Sequence, residues 1–142
     1  MHIRPFRADS DVDDTEAVVA LWHASGLTRP WNDPHRDIER KLTTQPELFL
    51  VGETDATVTA TAMVGFDGHR GWVSYLAVDP SQRGRGAGRA LMAEAERLLI
   101  ERGCPKIMLM VRSTNTDVLA FYDTLGYSAD DVTVLGKRLI AD

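Results

Sequence analysis

The stretch Pro80 to Met92 reads PSQRGRGAGRALM and holds the residues best suited to chemistry in this chain. Gly84, Gly86 and Gly88 alternate with Arg83, Arg85 and Ala87, Arg89 follows at once, and a helical pattern of apolar residues starts there. The first turn of a helix leaves N–H groups without intrahelical partners and carries the positive end of the helix dipole. Glycines at such a start remove the side chains that would keep an anion away from those N–H groups, and arginines add charge around it. The segment predicts a cradle for a small anion such as a phosphate. Taken alone, it reads equally as a flexible turn with solvated arginines.

Spacing rules out two familiar phosphate-binding loops. A P-loop requires Gly-Lys-Ser/Thr after four intervening residues, and none is present. A dinucleotide fingerprint requires G-x-G-x-x-G and an acidic residue at the end of the next strand. The spacing here is G-x-G-x-G, and that strand ends in Val111–Arg112. A net charge of −5 argues against nucleic acid as a partner, whose footprint would be basic. A cluster of arginines on an acidic chain points to one small anionic ligand instead. Apolar runs such as Ile107–Val111 are too short to cross a bilayer, so no membrane is expected. The start, MHIRPFRADSD, lacks an apolar secretory core. Cys104, the single cysteine, cannot form an internal disulfide, which fits a reducing cytoplasm. It reads as a small hydrophobe opening a strand, since nothing nearby marks an activated thiolate. With 142 residues, 44% apolar and 26% charged, one domain over residues 1–142 is expected.

The elements that position the glycine segment follow from periodicity and punctuation. HIRPFR opens as a short strand. Residues 11–25 read as a helix with Val18, Leu21 and Trp22 on one face and Gly26 as its stop. Asp33 before Pro34 reads as an N-cap opening a second helix through Ile38 and Leu42. ELFLVGET and ATVTATAMVGF are strand-like around a turn at Asp55–Ala56, DGHRG is a hairpin turn, and WVSYLAV is a further strand ending at Asp79–Pro80. Leu91, Ala95, Leu98 and Leu99 mark a helix that stops at Gly103. KIMLMV predicts a strand buried on both faces. Val118, Phe121, Tyr122 and Leu125 predict a helix ended by Gly126, and YSADDVTVLGKRL is strand-like. This order mixes hairpins with a strand–helix–strand crossover, which predicts an α/β protein with a mixed sheet.

Arg83-Gly84-Arg85-Gly86-Ala87-Gly88 resembles the R/Q-x-x-G-x-G/A signature of the GNAT superfamily of acetyl-CoA-dependent N-acetyltransferases. Leu76-Ala77-Val78-Asp79-Pro80 resembles the family's preceding strand and its exit. Asn115 through Tyr127, NTDVLAFYDTLGY, resembles its second hallmark, an Asn-led helix carrying Phe-Tyr and closing with Gly-aromatic. The element order matches too, so the resemblance covers nearly the whole chain. RPWNDP, DGHRG and GCPKI are similar to the small bacterial YpeA subgroup, itself similar to protein N-terminal alanine acetyltransferases. The implied fold is the GNAT (acyl-CoA N-acyltransferase) fold: a mixed central sheet with helices on both faces and a V-shaped splay between two adjacent parallel strands, here Trp72–Val78 and Lys106–Val111.

The resemblance implies acetyl-CoA as co-substrate in that gap. Its pantetheine arm would contact the backbone of Leu76, Ala77 and Val78, and its pyrophosphate the N–H groups of Arg83, Gly84, Arg85, Gly86, Ala87, Gly88 and Arg89. Asn115 matches the Asn expected to bond the pantetheine arm; otherwise it is an N-cap. Tyr122 falls at the family's acid position, contacting the cofactor and protonating the leaving thiolate; otherwise it is core. The N–H near Leu76 would polarise the thioester carbonyl. The carboxylates some relatives use as base are replaced by Trp72 and Met110, leaving Asp67, His69, Glu53, an ordered water, or an amine already neutral. Acceptor recognition is implied for the loop Leu27-Thr28-Arg29-Pro30-Trp31-Asn32-Asp33, with Trp31 as an apolar wall and Asn32 or Asp33 holding an ammonium. His69 borders the same side. The implied reaction is acetyl transfer to a primary amine, whether a small amine, a protein N-terminus or a lysine, by a monomer or homodimer. The alternative is an acyl-CoA-binding module or sensor with weak or no transferase activity.

Overall fold

In the computed structural model, which describes all 142 residues, the chain runs β1 (His2–Pro5), α1 (Thr15–Ala24), α2 (Pro34–Leu42), β2 (Phe49–Thr54), β3 (Thr57–Phe66), β4 (Gly71–Val78), α3 (Ala87–Glu101), β5 (Ile107–Leu109) and α4 (Thr116–Thr124). Short 3-10 turns cover Pro46–Leu48 and Pro80–Gln82. The chain divides into two units, Met1–Leu109 and Met110–Asp142. No helix is long and apolar enough to cross a membrane.

The first unit holds a mixed five-stranded sheet in the order β1-β2-β3-β4-β5. The first four strands pair antiparallel, and β5 runs parallel to β4. Asp55 and Ala56 join β2 to β3 with φ of 51° and 61°, the left-handed pair whose twist suits a two-residue hairpin. At the next turn Asp67 Oδ1 accepts from the N–H groups of His69 and Arg70 at 2.8 and 2.7 Å, as the Asp-Gly signal predicts.

Helices cover both faces. On one, Val18, Leu21 and Trp22 of α1 and Ile38 of α2 pack with Phe6, Phe49, Val51 and Ala77. On the other, α3 buries Leu91, Met92, Ala95 and Leu99. Leu99 comes so close that a Cβ on Gly71 would lie 2.7 Å from its Cδ1, so a side chain there would make Leu99 shift. Complete burial of each large apolar side chain contributes about 1.5–3 kcal/mol.

Helix starts follow local chemistry. Asp33 accepts from His35 N–H at 2.9 Å with Pro34 in the first turn of α2, as the sequence predicts. Asp14 precedes α1 but does not cap it. Its carboxylate takes Arg4 at 2.7 and 2.9 Å and Arg7 N–H at 2.8 Å, tying β1 to the helix, and α1 begins later than its periodicity suggests.

Two strand expectations are corrected. The KIMLMV strand shrinks to Ile107–Leu109 and is half-buried, because β5 is the sheet's edge with a single partner; Met110 is 69% exposed. In the second unit α4 ends at the left-handed Gly126 (φ 89°) as predicted, but the residues after Tyr127 form neither helix nor strand. Val132, Val134 and Leu135 there are exposed. Their strand propensity describes fitness for a pleated, half-buried surface, and no ladder recruits them.

Candidate active site

Pairing of β4 with β5 covers only Gly71–Val73, so β4 runs on to Val78 with β3 as its one ladder partner. On the β3 side Ser74 faces Met63 and Ala77 faces Thr61, which leaves Tyr75 and Leu76 opposite the single residue Ala62. This is a bulge, the device that re-aims strand backbone next to active sites. Tyr75 has a φ of 51°, rare for a bulky side chain. It is held from several sides. Thr61 Oγ1 donates to its carbonyl at 2.8 Å and accepts from Trp22 Nε1 at 2.9 Å. The Trp22 and Tyr75 rings stack with centroids 3.7 Å apart and planes 13° from parallel. The Tyr75 hydroxyl donates to Asp37 Oδ2 at 2.6 Å and accepts from Asn32 Nδ2 at 3.0 Å.

Beyond Val78 the chain turns at Asp79, whose Oδ1 accepts from Ser81 N–H at 2.8 Å and Ser81 Oγ at 2.7 Å. These bonds hold the Asp79 carboxyl below its ordinary pKa. Gly84 and Gly86 follow with φ of 78° and 82°, and Gly86 is the N-cap of α3 with no side chain capping the helix. A Cβ built on either glycine meets nothing within 4 Å. The fifteen-residue α3 thus starts at a glycine with no side-chain cap, and the first N–H groups of a helix have no intrahelical partner. Ala87, Gly88 and Arg89 form its first turn. Arg83, Arg85 and Arg89 are all exposed. Arg83 Nε donates to the Val78 carbonyl at 3.3 Å and Arg85 to Gln82 Oε1 at 3.2 Å. The segment fits a phosphate in charge and in hydrogen-bond donors.

The loop ahead of α2 joins this region through Asn32, whose Nδ2 reaches Asp37 Oδ2 at 2.5 Å as well as the Tyr75 hydroxyl. Trp31 beside it is 56% exposed. Asp33 is engaged at the start of α2. His69 lies exposed at the hairpin tip, with Nδ1 3.5 Å from Arg70. Two base candidates lose ground. Asp67 is pushed down to about 2 by the N–H groups of Arg70 and His69 and by Trp72 Nε1, so it is a feeble proton acceptor at neutral pH. Glu53 is ion-paired with Arg4. Tyr75 and Asp37, neither of them singled out by the sequence, meet at this bulge. Only the bulge register and the fold of the loop reveal them, since Tyr75 reads as an ordinary strand residue and Asp37 as helix surface.

In the second unit Asn115 caps α4, its Oδ1 accepting from Val118 N–H at 3.4 Å. Tyr122, further along the same helix, is buried, with Phe121 and Tyr127 edge-on at centroid distances of 5.1 and 5.6 Å. Burial pushes its phenol up to about 12, which keeps the proton on through the neutral range.

A sequence profile described as the Acetyltransferase (GNAT) family matches residues 16–127. An acetyltransferase of Yersinia pestis strain Pestoides F is 51% identical over 142 residues, covering 100% of this chain and 98% of the other. Among solved structures, the PaiA N-acetyltransferase of Thermoplasma acidophilum in complex with coenzyme A superposes with a TM-score of 0.77 at 18% identity, over 94% of each chain. Naa20 of Chaetomium thermophilum, solved with a bisubstrate analogue, gives 0.71 at 23% identity, over 90% of this chain and 71% of that one.

Proposed function

The chain belongs to the acetyltransferase (GNAT) family and is an acetyltransferase, and on that premise we propose that it transfers the acetyl group of acetyl-CoA directly to a primary amine. The observation that carries this reading is the open, uncapped glycine mouth of α3 immediately beyond a bulged strand. Bound acetyl-CoA supplies an activated carbonyl and a thiol leaving group. In this reading the N–H groups from Arg83 to Arg89 hold the pyrophosphate, with Gly84, Gly86 and Gly88 letting it approach. The backbone of Leu76, Ala77 and Val78 aligns the pantetheine arm, helped by Asn115. The Leu76 N–H, displaced from the regular ladder by the bulge, stabilises charge developing on the carbonyl oxygen.

Tyr122 attends the departing sulfur. A phenol near 12 is a weaker acid than a thiol of about 8.5. Its contribution is therefore a hydrogen bond that tightens as charge grows on sulfur, while the proton the amine loses on forming the amide reaches the thiolate through water. Neither Asp67 nor Glu53 is poised as the amine's base, so the amine enters neutral or loses its proton through water. Trp31, Asn32 and Asp33, with His69, face the acceptor. The complex of the PaiA N-acetyltransferase with coenzyme A supports a CoA thioester as the donor.

A second reading, a CoA-binding module with little transferase activity, draws on one observation: Trp72 and the ion-paired or low-pKa Glu53 and Asp67 leave no ready base. Thiol release from acetyl-CoA across a panel of small amines, lysine peptides and peptide N-termini separates the two. The proposal expects release well above the hydrolytic background with at least one amine class. Saturable CoA binding with background release throughout would favour the binding module.

A further inference from the structure

We infer that Tyr75 is a positioning residue for acetyl transfer: its side chain ties the loop ahead of α2 to the bulge of β4, so that Asn32 and Asp37 help set the direction of the Leu76 N–H. The inference rests on the acetyl-CoA reading above. A bulky residue persists at left-handed φ only where its surroundings over-determine it, and such residues cluster at functional sites. Tyr75 is over-determined to an unusual degree. Its ring lies flat on Trp22 of α1, its carbonyl takes the Thr61 hydroxyl of β3, and its phenol spans to α2. Each support is itself held. Trp22 is fully buried and donates to the same Thr61 hydroxyl. Asp37 is oriented by Arg40 through Oδ1 at 2.6 Å and by Asn32 through Oδ2. At 2.6 Å the bond from phenol to carboxylate has the short length of a charge-assisted bond.

The next residue after Tyr75 is the one whose N–H must meet the carbonyl oxygen. A peptide unit is rigid, so the Tyr75 backbone angles decide where the Leu76 N–H points. A donor of this kind has to be held within about 0.5 Å of its productive place, and an error of about 1 Å costs as much as a hundredfold in rate. The loop that carries Trp31 and the edge that polarises the carbonyl are thereby one mechanical unit. Perturbing the loop at Asn32 should then alter the chemical step as well as acceptor affinity. If Tyr75 merely packs, loss of its hydroxyl lowers stability and leaves the chemistry alone.

The spectroscopic part of the test needs no knowledge of the acceptor. Acetyl-CoA labelled with carbon-13 at the acetyl carbonyl is bound to the protein, and the carbonyl stretch is read by infrared difference spectroscopy. In the wild type the stretch should fall below that of free acetyl-CoA. In Tyr75→Phe, which keeps the ring and loses the hydroxyl, it should return part of the way, while CoA raises the melting temperature as much as in the wild type. With any amine the wild type accepts, the single-turnover rate of the variant should fall about tenfold. Asn32→Ala, at the far end of the link, should shift the stretch in the same direction and serves if Tyr75→Phe does not fold. A folded variant with the wild-type carbonyl frequency and rate overturns the inference alone. A wild-type stretch equal to that of free acetyl-CoA overturns it together with the assignment of Leu76 on which it rests.

Discussion

Gly86 and Gly68 allow backbone strain and ligand binding to be separated. Both adopt left-handed angles, φ 82° and 91°, and at both an added Cβ meets no atom within 4 Å. An alanine at either position therefore meets the same penalty for a left-handed conformation, about 1–2 kcal/mol, with no clash to add to it. For a chain of this size that is a fall in melting temperature of roughly 4 °C per kcal/mol. The two variants part over CoA. Gly86→Ala adds a methyl group at the N-cap of α3, where the proposed function puts the phosphate, and should cost at least one charge-assisted hydrogen bond to a phosphate oxygen, about 1.5–3 kcal/mol. That corresponds to about a 10- to 150-fold weaker Kd. Gly68→Ala, at the hairpin tip, should leave Kd within about twofold of wild type. Thermal melts without ligand followed by calorimetric titration with CoA measure both quantities. Equal Kd values for two folded, equally destabilised variants would refute the cradle.

Further outcomes follow from other sites. Tyr122→Phe should lower the single-turnover rate of CoA formation toward the lower end of the 10²–10⁴ range for general acids, because the phenol near 12 acts mainly through a hydrogen bond; a rate within about threefold of wild type removes it from the chemistry. The same tyrosine predicts a pH dependence of stability. Its folded pKa is raised from 10.0 to about 12, so above pH 10 the unfolded chain releases a proton that the folded one keeps. Stability present below pH 10 should be lost between pH 10 and 12, on the order of 2–3 kcal/mol, and denaturant titrations at both ends of that window should show this slope diminished in Tyr122→Phe. Trp31→Ala should raise the acceptor KM while that for acetyl-CoA stays fixed; steady-state kinetics varying each substrate in turn would expose the reverse. Ala56→Gly, at an exposed position with φ 61°, should stabilise the fold by about 0.5–1 kcal/mol, since glycine takes that angle without strain; a lower melting temperature would contradict the turn geometry.

What the sequence reveals and what it conceals divides along range. The Asp33–Pro34 helix start, the Asp55–Ala56 turn, the Asp67 loop and the glycine mouth of α3 are decided by residues within a few positions of each other, and each is as its pattern predicts. The apolar face of Val18, Leu21 and Trp22 is legible because helical periodicity repeats it. The link from Asn32 through Asp37 to Tyr75 is not, since it joins residues 43 and 38 positions apart and depends on a one-residue slip in the β3–β4 register. Nor does local pattern foresee that the Asp14 carboxylate pairs with Arg4 and that α1 starts only at Thr15. The segment after Tyr127 shows the opposite failure: Val132, Val134 and Leu135 favour extended chain, yet favouring a strand does not supply the neighbour that makes one.

The central claim is transfer of an acetyl group from CoA straight to an amine nitrogen. Mass spectrometry after one turnover with carbon-13 acetyl-CoA, enzyme in excess and an accepted amine present, tests it most directly. The account predicts the label in an amide of the amine, one CoA thiol per amide formed, and no acetylated protein along the way. Label that remains in acetyl-CoA while CoA still binds at the α3 mouth, or that settles on the protein without reaching the amine, would contradict it.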